Sequence, residues 1–338
     1  MFAGYMRSKE NPGHMAKLLA IMCKYEGIEL IYMTPEDVNV QTGKVIGKIN
    51  IDKKWVKVES KLPGFIDINP NYFNYKKHTE LIRYLNKHSI LSSDKRMPLP
   101  KDQLQETFKY DKEVREVLIP SKKVNVLKDV EEFIDLYQAV VLKPIYSNKG
   151  KDVYILKKEG SKFLLGYSKQ EELINWEEFK QLFYERNFNQ GFVVQKCIMS
   201  RTPQGDPFDC RIHVEKNGKG KWRNVKNFIR IGAGQSVISN VSQGGGISEL
   251  KSFLYATYED KWEPIYKNIK RLARLLPYKI ERVLGKEYMS FGFDVGIDSD
   301  GSLFLFEVND FPIVSPMKSE IAMARAAYYR YMLKKHYS

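Results

Sequence analysis

The feature that most constrains the fold is a pair of alternating segments in the last quarter of the chain. The segments 288–298 (YMSFGFDVGID) and 304–310 (FLFEVND) place apolar side chains on one face and polar ones on the other, as β-strands do. Asp300-Gly301 stands between them, and such a pair flanked by alternating runs is a strong hairpin signal. We therefore expect an antiparallel hairpin with one buried face.

The turn sets the register of this hairpin. If Asp300 and Gly301 are the two central turn residues, Ser299 faces Ser302. A four-residue turn would keep the same faces, whereas a three-residue turn would set the apolar face against the polar one and is not expected. This register predicts three apolar cross-strand pairs: Phe293 with Val308, Val295 with Phe306, and Ile297 with Phe304.

The same register brings two carboxylates together. Asp294 lies opposite Glu307, with Asn309 one diagonal step away. Carboxylates directly across a ladder are about 5 Å apart and repel each other, so we expect a cation between them. Carboxylate and amide oxygens suit Mg²⁺, which keeps several waters and is shared with substrate phosphates. The alternative is an acidic strand pair that only faces solvent.

Composition excludes several classes of protein. The 338 residues are 43% hydrophobic and 28% charged, which is ordinary for a globular protein and enough for two or three structural units. No apolar run reaches the ~18 residues of a membrane span, and residues 1–15 lack the pattern of a secretory signal. Cys23, Cys197 and Cys210 have no C-x-x-C spacing, which argues against a disulfide scaffold or a zinc site. We expect a cytoplasmic protein.

The net charge of +14 raises the question of a nucleic-acid partner. The lysines are spread along the chain, and neither a Lys/Arg block nor a nucleic-acid module is recognisable. We expect a solvated basic surface, with a nucleotide or an acidic substrate or carrier as the polyanionic partner, and neither nucleic acid nor membrane.

The order of apolar patterns predicts three units along the chain: 1–98, 99–204 and 205–338. The first is a small α/β unit that ends before two prolines at 97–100 (MPLP). The remainder is strand-rich up to about residue 250. Helical spacing is predicted at 13–26, 75–88, 101–117, 175–186, 260–284 and 316–334.

Several features could handle phosphate. Lys143 ends an apolar strand and is followed by a small, glycine-containing loop, although no Walker A motif occurs. In the alternating segment 207–218 (PFDCRIHVEKNG), Asp209, Arg211 and His213 share one face. Three glycines at 244–246 follow Arg230 and Asn240. Taken alone, each feature is better explained as a strand end, a surface ion pair or a flexible loop.

The order of these features resembles that of the ATP-grasp superfamily, and specifically its YheC/YheD-like branch, which is named for spore-coat-associated proteins. The resemblance covers about residues 95–335, and its last third is the most specific. It implies an ATP-grasp fold, in which two α+β subdomains clasp ATP, preceded by a small N-terminal α/β domain. It also implies that the protein could be spore-associated.

The resemblance further implies roles for individual residues. The loop 147–152 would cover the phosphates, although two of the three glycines of the family are absent from it. The implied roles are phosphate contact for Lys101 and Lys143, loop contact for Ser147 and Gly150, adenine recognition for Gln195, Lys196 and Ile198, nucleotide binding for Asp209, catalysis for Arg211, Arg230 and Asn240, and magnesium binding for Asp294, Glu307 and Asn309.

The chemistry implied by the resemblance is the joining of a carboxylate to an amine at the expense of ATP, through an acyl phosphate. Two Mg²⁺ ions, with Mn²⁺ as a substitute, would serve the reaction, and the substrates would be small molecules or peptides. Two alternatives stay open. One is an ATP-grasp kinase that phosphorylates a hydroxyl, and the other is a non-catalytic ATP-binding coat or assembly protein.

Overall fold

The structure is a computed structural model that describes residues 1–93, 103–145, 152–167, 170–232, 245–312, 315 and 317–337. These residues form three β-sheets that follow one another along the chain, each with helices packed on it. No helix in the described ranges has the length and apolar character required to cross a bilayer.

The first sheet belongs to the N-terminal α/β unit. Its elements are β1 (Phe2–Met6), α1 (His14–Tyr25), β2 (Glu29–Met33), β3 (Val38–Asn39), β4 (Lys44–Ile51), β5 (Lys54–Lys61), β6 (Phe65–Ile68), α2 (Thr79–His88) and β7 (Ile90–Leu91). The strand order is β3-β4-β2-β1-β6-β7, with β5 paired to β4. Strand β1 is parallel to both β2 and β6, and β7 is parallel to β6.

The second sheet is antiparallel throughout its described strands, in the order β12-β11-β10-β9-β13-β8. Its elements are α3 (Gln103–Phe108), β8 (Ser121–Lys123), α4 (Leu127–Tyr137), β9 (Ala139–Pro144), β10 (Tyr154–Glu159), β11 (Lys162–Tyr167), β12 (Gln170–Ile174), α5 (Trp176–Glu185) and β13 (Phe192–Lys196). Helix α5 begins where Asn175 and Glu178 cap each other's backbone N–H groups.

The third sheet carries the candidate site. Its elements are β14 (Phe208–Lys216), β15 (Trp222–Ile231), β16 (Gly246–Glu249), α6 (Leu250–Tyr258), α7 (Trp262–Leu284), β17 (Ser290–Ile297), β18 (Leu303–Asn309) and α8 (Lys318–Tyr337). The order β16-β15-β14-β17-β18 is antiparallel. Helices α6 and α7 cover one face of this sheet with an apolar core.

Two contacts between the units shape the molecule. Phe108, Val114 and Val117, which precede the second sheet in the chain, lie in the apolar core of the third sheet. On the other side, α8 packs against α1 and shares a core with the first sheet. The predicted limits of the three units, 1–98, 99–204 and 205–338, remain a prediction.

The hairpin of β17 and β18 is present, but its turn and half of its register differ from the prediction. Asp298 donates its backbone N–H to the carbonyl of Ser302, which leaves a three-residue turn with Gly301 at φ +91°. A β-bulge follows, because Asp294 pairs with Glu307 whereas Val295 pairs with Leu305. The bulge at Phe306 restores the faces that the odd-numbered turn would have exchanged.

The bulge changes two of the three predicted apolar cross-strand pairs. Phe293 lies opposite Val308 as predicted, but the pairs Val295–Phe306 and Ile297–Phe304 are wrong, because Val295 pairs with Leu305 and Ile297 with Leu303. Leu303 and Leu305 are buried in the core instead of the two phenylalanines. Phe304 and Phe306 are therefore on the opposite face, together with Glu307.

One helical prediction is wrong in its extent, and two helices were not predicted. The helix predicted at 101–117 is limited to α3 and a short 3₁₀ turn (Arg115–Val117), since the Asp111 side chain accepts hydrogen bonds from the backbone of Glu113 and Val114 and forms a turn. Helices α4 and α6 were not predicted. Both are short, at 11 and 9 residues, although Leu127, Val130 and Ile134 of α4 do follow helical spacing.

Candidate active site

The site is built on one face of β14. Its residues Cys210, Ile212 and Val214 point into the core, so the alternating residues point to the other face. Those residues, Asp209, Arg211, His213 and Glu215, are all buried. A row of buried charges in the middle of a sheet is costly unless each member is paired, so their partners define the site.

Arg211 and Arg230 converge on a single carboxylate. Strand β17 places Asp294 beside Arg211, which donates from Nε to Oδ1 and from Nη2 to Oδ2 of Asp294, the latter over 3.1 Å. Arg230 lies on the far side of β14, yet its Nη2 is 2.9 Å from Asp294 Oδ2. Arg230 also binds Asp209 in a fork, with both distances 2.7 Å.

The charges in this cluster support one another. Burial opposes the ionisation of Asp294, but the adjacent Arg211 and Arg230 hold the pKa of this carboxyl below its ordinary value. Burial likewise disfavours the charge of Arg230, and Asp294 and Asp209 more than offset it, so that the pKa of Arg230 is raised. The charged forms of Asp294 and Arg230 are therefore favoured by their mutual contact.

Each arginine keeps donors for a ligand. Arg230 donates from Nε and Nη2 to the two aspartates, and Arg211 donates from Nε and Nη2 to Asp294. A guanidinium has five N–H donors, so the Nη1 amino group of each remains, with no partner among the described residues. Arg230 is partly exposed, with 15% of its side-chain surface accessible. The cluster therefore holds a partly exposed guanidinium in a fixed orientation with donors to spare.

The three predicted magnesium ligands are brought together by the hairpin. Asp294 pairs with Glu307 across the ladder, and Asn309 Nδ2 lies 3.4 Å from Asp294 Oδ2. Two carboxylates and an amide match the oxygen donors that Mg²⁺ prefers. The described residues contain no cluster of three or more His, Cys, Asp or Glu side chains suited to a metal. The donors available to a Mg²⁺ ion are therefore the Glu307 carboxylate, the Asn309 amide oxygen and Asp294 Oδ1. The last of these accepts from Arg211 Nε and has one further lone pair.

The predicted nucleotide residues of the second sheet are also in contact. Lys143 on β9 donates its Nζ to Gln195 Oε1 on β13 over 2.6 Å, so the predicted phosphate contact and the predicted adenine contact lie side by side. Lys196 ends β13, and Ile198 follows in the segment that leads to the third sheet. Ser200 fastens that segment to the hairpin, because the backbone N–H of Ile297 donates to its hydroxyl.

Sequence analysis did not predict that Phe304 and Phe306 belong to the site. Lys196 Nζ lies 5.6 Å from the centre of the Phe304 ring, so Phe304 stands beside the strand end that was predicted to recognise adenine. Phe306 lies over Gly296, where an added Cβ would come within 2.1 Å of Phe306 Cζ. Only glycine allows this ring to lie on the backbone. The bulge that turns both rings to this face has no signal in the sequence.

A second buried network, also unpredicted, joins the site strand to the N-terminal unit. His213 Nε2 is 2.8 Å from Glu215 Oε1, and Glu215 is held by Arg325 of α8 at 3.0 and 3.1 Å. Arg325 lies 3.5 Å from Asp67 of β6, which also accepts a hydrogen bond from Tyr329. Continued alternation along β14 could have indicated Glu215, but not its distant partners.

Five predicted residues cannot be placed. Lys101, Ser147, Gly150, Asn240 and the first glycine of the run 244–246 lie outside the described residues. Gly246 opens β16 and pairs with Ile231, one residue after Arg230. The roles assigned to all of these residues remain predictions.

The three sheets, with an arginine and carboxylate cluster on the third, have the ATP-grasp fold. Two solved structures of ATP-grasp type match nearly the whole chain with a TM-score of 0.52. One is a RiPP-associated ATP-grasp ligase of Chryseobacterium gregarium in complex with ADP and a leader and core peptide, 10% identical, with 99% of this chain and 97% of that chain covered. The other is D-alanyl-alanine synthetase A of Vibrio cholerae, 11% identical, with 99% and 97% covered.

Within this fold the particular family is also defined. The family model described as "YheC/D like ATP-grasp" matches residues 94–336, and the chain belongs to that family. A similar curated protein is the endospore coat-associated protein YheC of Bacillus subtilis (strain 168). It is 21% identical over 325 residues, which cover 91% of this chain and 88% of YheC.

Proposed function

We propose that the protein is an ATP- and Mg²⁺-dependent carboxylate–amine ligase that acts through an acyl phosphate. The observation that carries the proposal is Arg230, which two aspartates hold by Nε and Nη2 while its Nη1 group remains for a ligand. A guanidinium fixed in this way is a donor oriented in advance for a planar or tetrahedral oxyanion. Membership of an ATP-grasp family supports the use of ATP.

In this proposal the nucleotide lies between the second and third sheets. Gln195, Lys196 and Ile198 recognise the adenine, and Phe304 and Phe306 offer aromatic faces on which it can stack. Lys143 reaches the phosphates, for which it exchanges its hydrogen bond to Gln195. Lys101, Ser147 and Gly150 complete the phosphate contacts, as the family resemblance implies.

Asp294, Glu307 and Asn309 would hold the metal, with two Mg²⁺ ions proposed. When bound, Mg²⁺ neutralises phosphate charge and fixes the geometry of in-line displacement. Arg211 keeps Asp294 ionised through its two hydrogen bonds, and so preserves a ligand that would otherwise be protonated in this buried position.

The reaction then follows from positioning. The substrate carboxylate attacks the γ-phosphorus of ATP, the bond to the β-phosphate oxygen breaks, and ADP leaves. The amine nitrogen next attacks the acyl carbon, loses a proton and expels phosphate. Arg230 donates its Nη1 hydrogens to the oxyanion of this second step, and Arg211 and Asn240 add donors around it. The protein supplies orientation and charge, and no covalent intermediate with the chain is required.

Both small molecules and peptides are candidate substrates. One structural neighbour is described in complex with a leader and core peptide, and another is named for the synthesis of D-alanyl-alanine. The name of the relative YheC supports the further proposal that the amide product, or the protein itself, is connected with the spore coat. The acting compartment is proposed to be the cytoplasm.

The test is product analysis with the full chain. ATP, Mg²⁺ and a panel of amino acids, small carboxylates and amines are supplied singly and in pairs, and ADP release is measured with mass spectrometry of the products. A ligase releases ADP and phosphate in equal amounts, with an amide formed only when both substrate classes are present. A phosphomonoester without amide would establish the kinase instead, and ATP binding without turnover would favour the non-catalytic alternative.

A further inference from the structure

Helix α7 presents an unusual set of unpaired cations on the side of the third sheet away from the site. Its outer face carries Arg271, Arg274 and Arg282, and none of the three has an ion-pair partner in the described part of the chain. With 3.6 residues per turn they fall within about 80° of the helix circumference, and they span about 16 Å along its axis. We call these three residues the arginine stripe.

The acidic residues of α7 do not offset the stripe, because they are already engaged. Glu263 pairs with Lys267 over 3.3 Å. Glu281 binds Lys216 and the indole N–H of Trp222, both over 2.8 Å. Those two are the only acidic side chains of the helix, so no carboxylate of α7 itself pairs with the stripe.

Other cations of the helix contrast with the stripe. Lys279 is held by Asp111 over 2.7 Å and by Glu113 over 2.9 Å. Lys270 donates to Asn224 over 3.3 Å and lies over the ring of Tyr266. In the described part of the chain, the three arginines are the cations of α7 that have neither an ion pair nor a hydrogen bond, and arginine is the cation best suited to bind carboxylates in a fork.

A cleft of about 480 Å³ opens at the N-terminal end of the stripe and shares Arg271 with it. Its floor includes buried apolar side chains, among them Val117, Ile265 and Leu303. Its lining carries charges of both signs, with the cations Lys261 and Arg271 and the carboxylates Glu116, Asp260 and Asp300. An apolar floor of this kind accepts a hydrophobic side chain.

We propose that the arginine stripe and this cleft together form a docking surface for an acidic segment of a partner polypeptide. Carboxylates of the segment pair with the stripe, and one apolar side chain of the segment enters the cleft. The mixed lining favours a polypeptide over a nucleic acid, because a polypeptide backbone can donate N–H groups to Asp260 and Asp300, whereas a phosphate backbone carries negative charge alone. The net charge of +14 predicts an acidic substrate or carrier, and this surface is where we propose that it binds.

The test is a binding titration with the full chain and a fluorescein-labelled peptide that repeats Glu-Glu-Leu three times, a length of about nine residues that in extended form matches stripe and cleft. The triple variant Arg271→Glu/Arg274→Glu/Arg282→Glu should weaken binding at least about tenfold. The matched control Lys54→Glu/Lys57→Glu/Lys61→Glu alters the net charge equally on the exposed strand β5 and should weaken binding less than about twofold.

A further variant tests the cleft. Asn268→Trp fills it from the rim and should weaken binding of the Glu-Glu-Leu peptide several-fold while leaving an all-glutamate peptide of equal length unaffected. Equal losses in the two triple variants would overturn the proposal in favour of unspecific charge attraction. Tighter, stripe-dependent binding of single-stranded DNA would overturn it in favour of nucleic acid. The absence of any peptide binding would overturn it outright.

Discussion

Arg230 and Asp294 form an ion pair of 2.9 Å although β14 lies between their two strands. The guanidinium of Arg230 reaches across the strand of Asp209 and Arg211, so one carboxylate is shared by two arginines. In a buried setting this sharing removes the penalty of an unpaired charge and fixes both guanidinium planes. Asp294, which is predicted to bind magnesium, and Arg230, which is predicted to stabilise the oxyanion, are thus in direct contact.

Glu307 provides the first prediction. Glu307→Gln should reduce Mg²⁺-dependent turnover about 100-fold or more, because an amide is a poorer ligand for Mg²⁺ than a carboxylate. The fold should persist, since the substitution keeps the size of the side chain and its place opposite Asp294 in the ladder. ADP release at several Mg²⁺ concentrations and thermal unfolding provide the two measurements. Glu171→Gln on the exposed part of β12 is the control and should behave as wild type, and full activity in Glu307→Gln would remove the metal assignment.

The sequence predicted the pair Asp294–Glu307 correctly, for a reason that was partly wrong. A three-residue turn shifts the register by one residue, and the bulge at Phe306 shifts it back, so the end of the hairpin that bears Asn309 keeps the predicted register. Alternation of polar and apolar residues predicts which side chains share a face, because one face of the hairpin is buried. It does not carry the position of a bulge, which depends on how Phe306 packs on Gly296.

Contacts between distant segments could not be predicted from the sequence, for a different reason. Arg325 and Glu215 are 110 residues apart, and Tyr329 and Asp67 are 262 apart. Nothing local distinguishes Arg325 from the exposed cations of α8 until the helix is packed on the third sheet. The row Asp209, Arg211 and His213 was predictable from strand period, whereas its pairing required the fold.

Lys143 should contribute to ATP binding through phosphate. Lys143→Ala should raise the Kd for ATP by the equivalent of about 1.5–3 kcal/mol, the usual contribution of one charge-assisted hydrogen bond. The Kd for adenosine should change little, because adenosine has no phosphate. Titration calorimetry with both ligands measures the difference, and Lys157→Ala on β10 serves as the surface control. Equal losses for ATP and adenosine would indicate that Lys143 acts by packing or through Gln195.

Phe306 should behave in the opposite way. Phe306→Ala should weaken ATP and adenosine by the same factor, equivalent to about 1–3 kcal/mol for a lost stacking contact with the base. Gly296→Ala should reproduce part of this loss, because its Cβ displaces the Phe306 ring without removing it. A loss confined to ATP in either variant would place the ring at the phosphates and contradict the proposed adenine position.

His213 should make the stability depend on pH. Burial lowers the pKa of His213 below its ordinary value of 6.5, against the opposing effect of Glu215, so the folded state holds this histidine neutral where the unfolded state is protonated. Stability from this group is complete above pH 6.5 and is lost as the pH falls, by up to about 1.4 kcal/mol for each pH unit.

The variant His213→Gln tests this sign. It keeps an N–H donor for Glu215 and should lose less stability between pH 7.5 and about pH 5 than the wild type does, as measured by calorimetric unfolding. The exposed histidine variant His88→Gln is the matched control and should follow the wild-type profile. A His213→Gln profile parallel to that of the wild type would mean that the folded state accommodates the imidazolium.

Arg230 gives the most decisive test of the ligase proposal, but truncation alone would mislead. Arg230→Ala leaves Asp209 and one oxygen of Asp294 without this partner in a buried position, which costs about 3–5 kcal/mol of stability and obscures any catalytic effect. Arg230→Lys keeps the positive charge between the two carboxylates and loses the fork and the Nη1 donors. It should therefore remain folded, bind ATP within about threefold of wild type, and lose about 10²–10³ in kcat, since the donors act on charge that develops only in the transition state. Nucleotide titration beside steady-state ADP release separates these quantities, and a variant that loses ATP affinity as strongly as turnover would place Arg230 on the nucleotide instead of the acyl group.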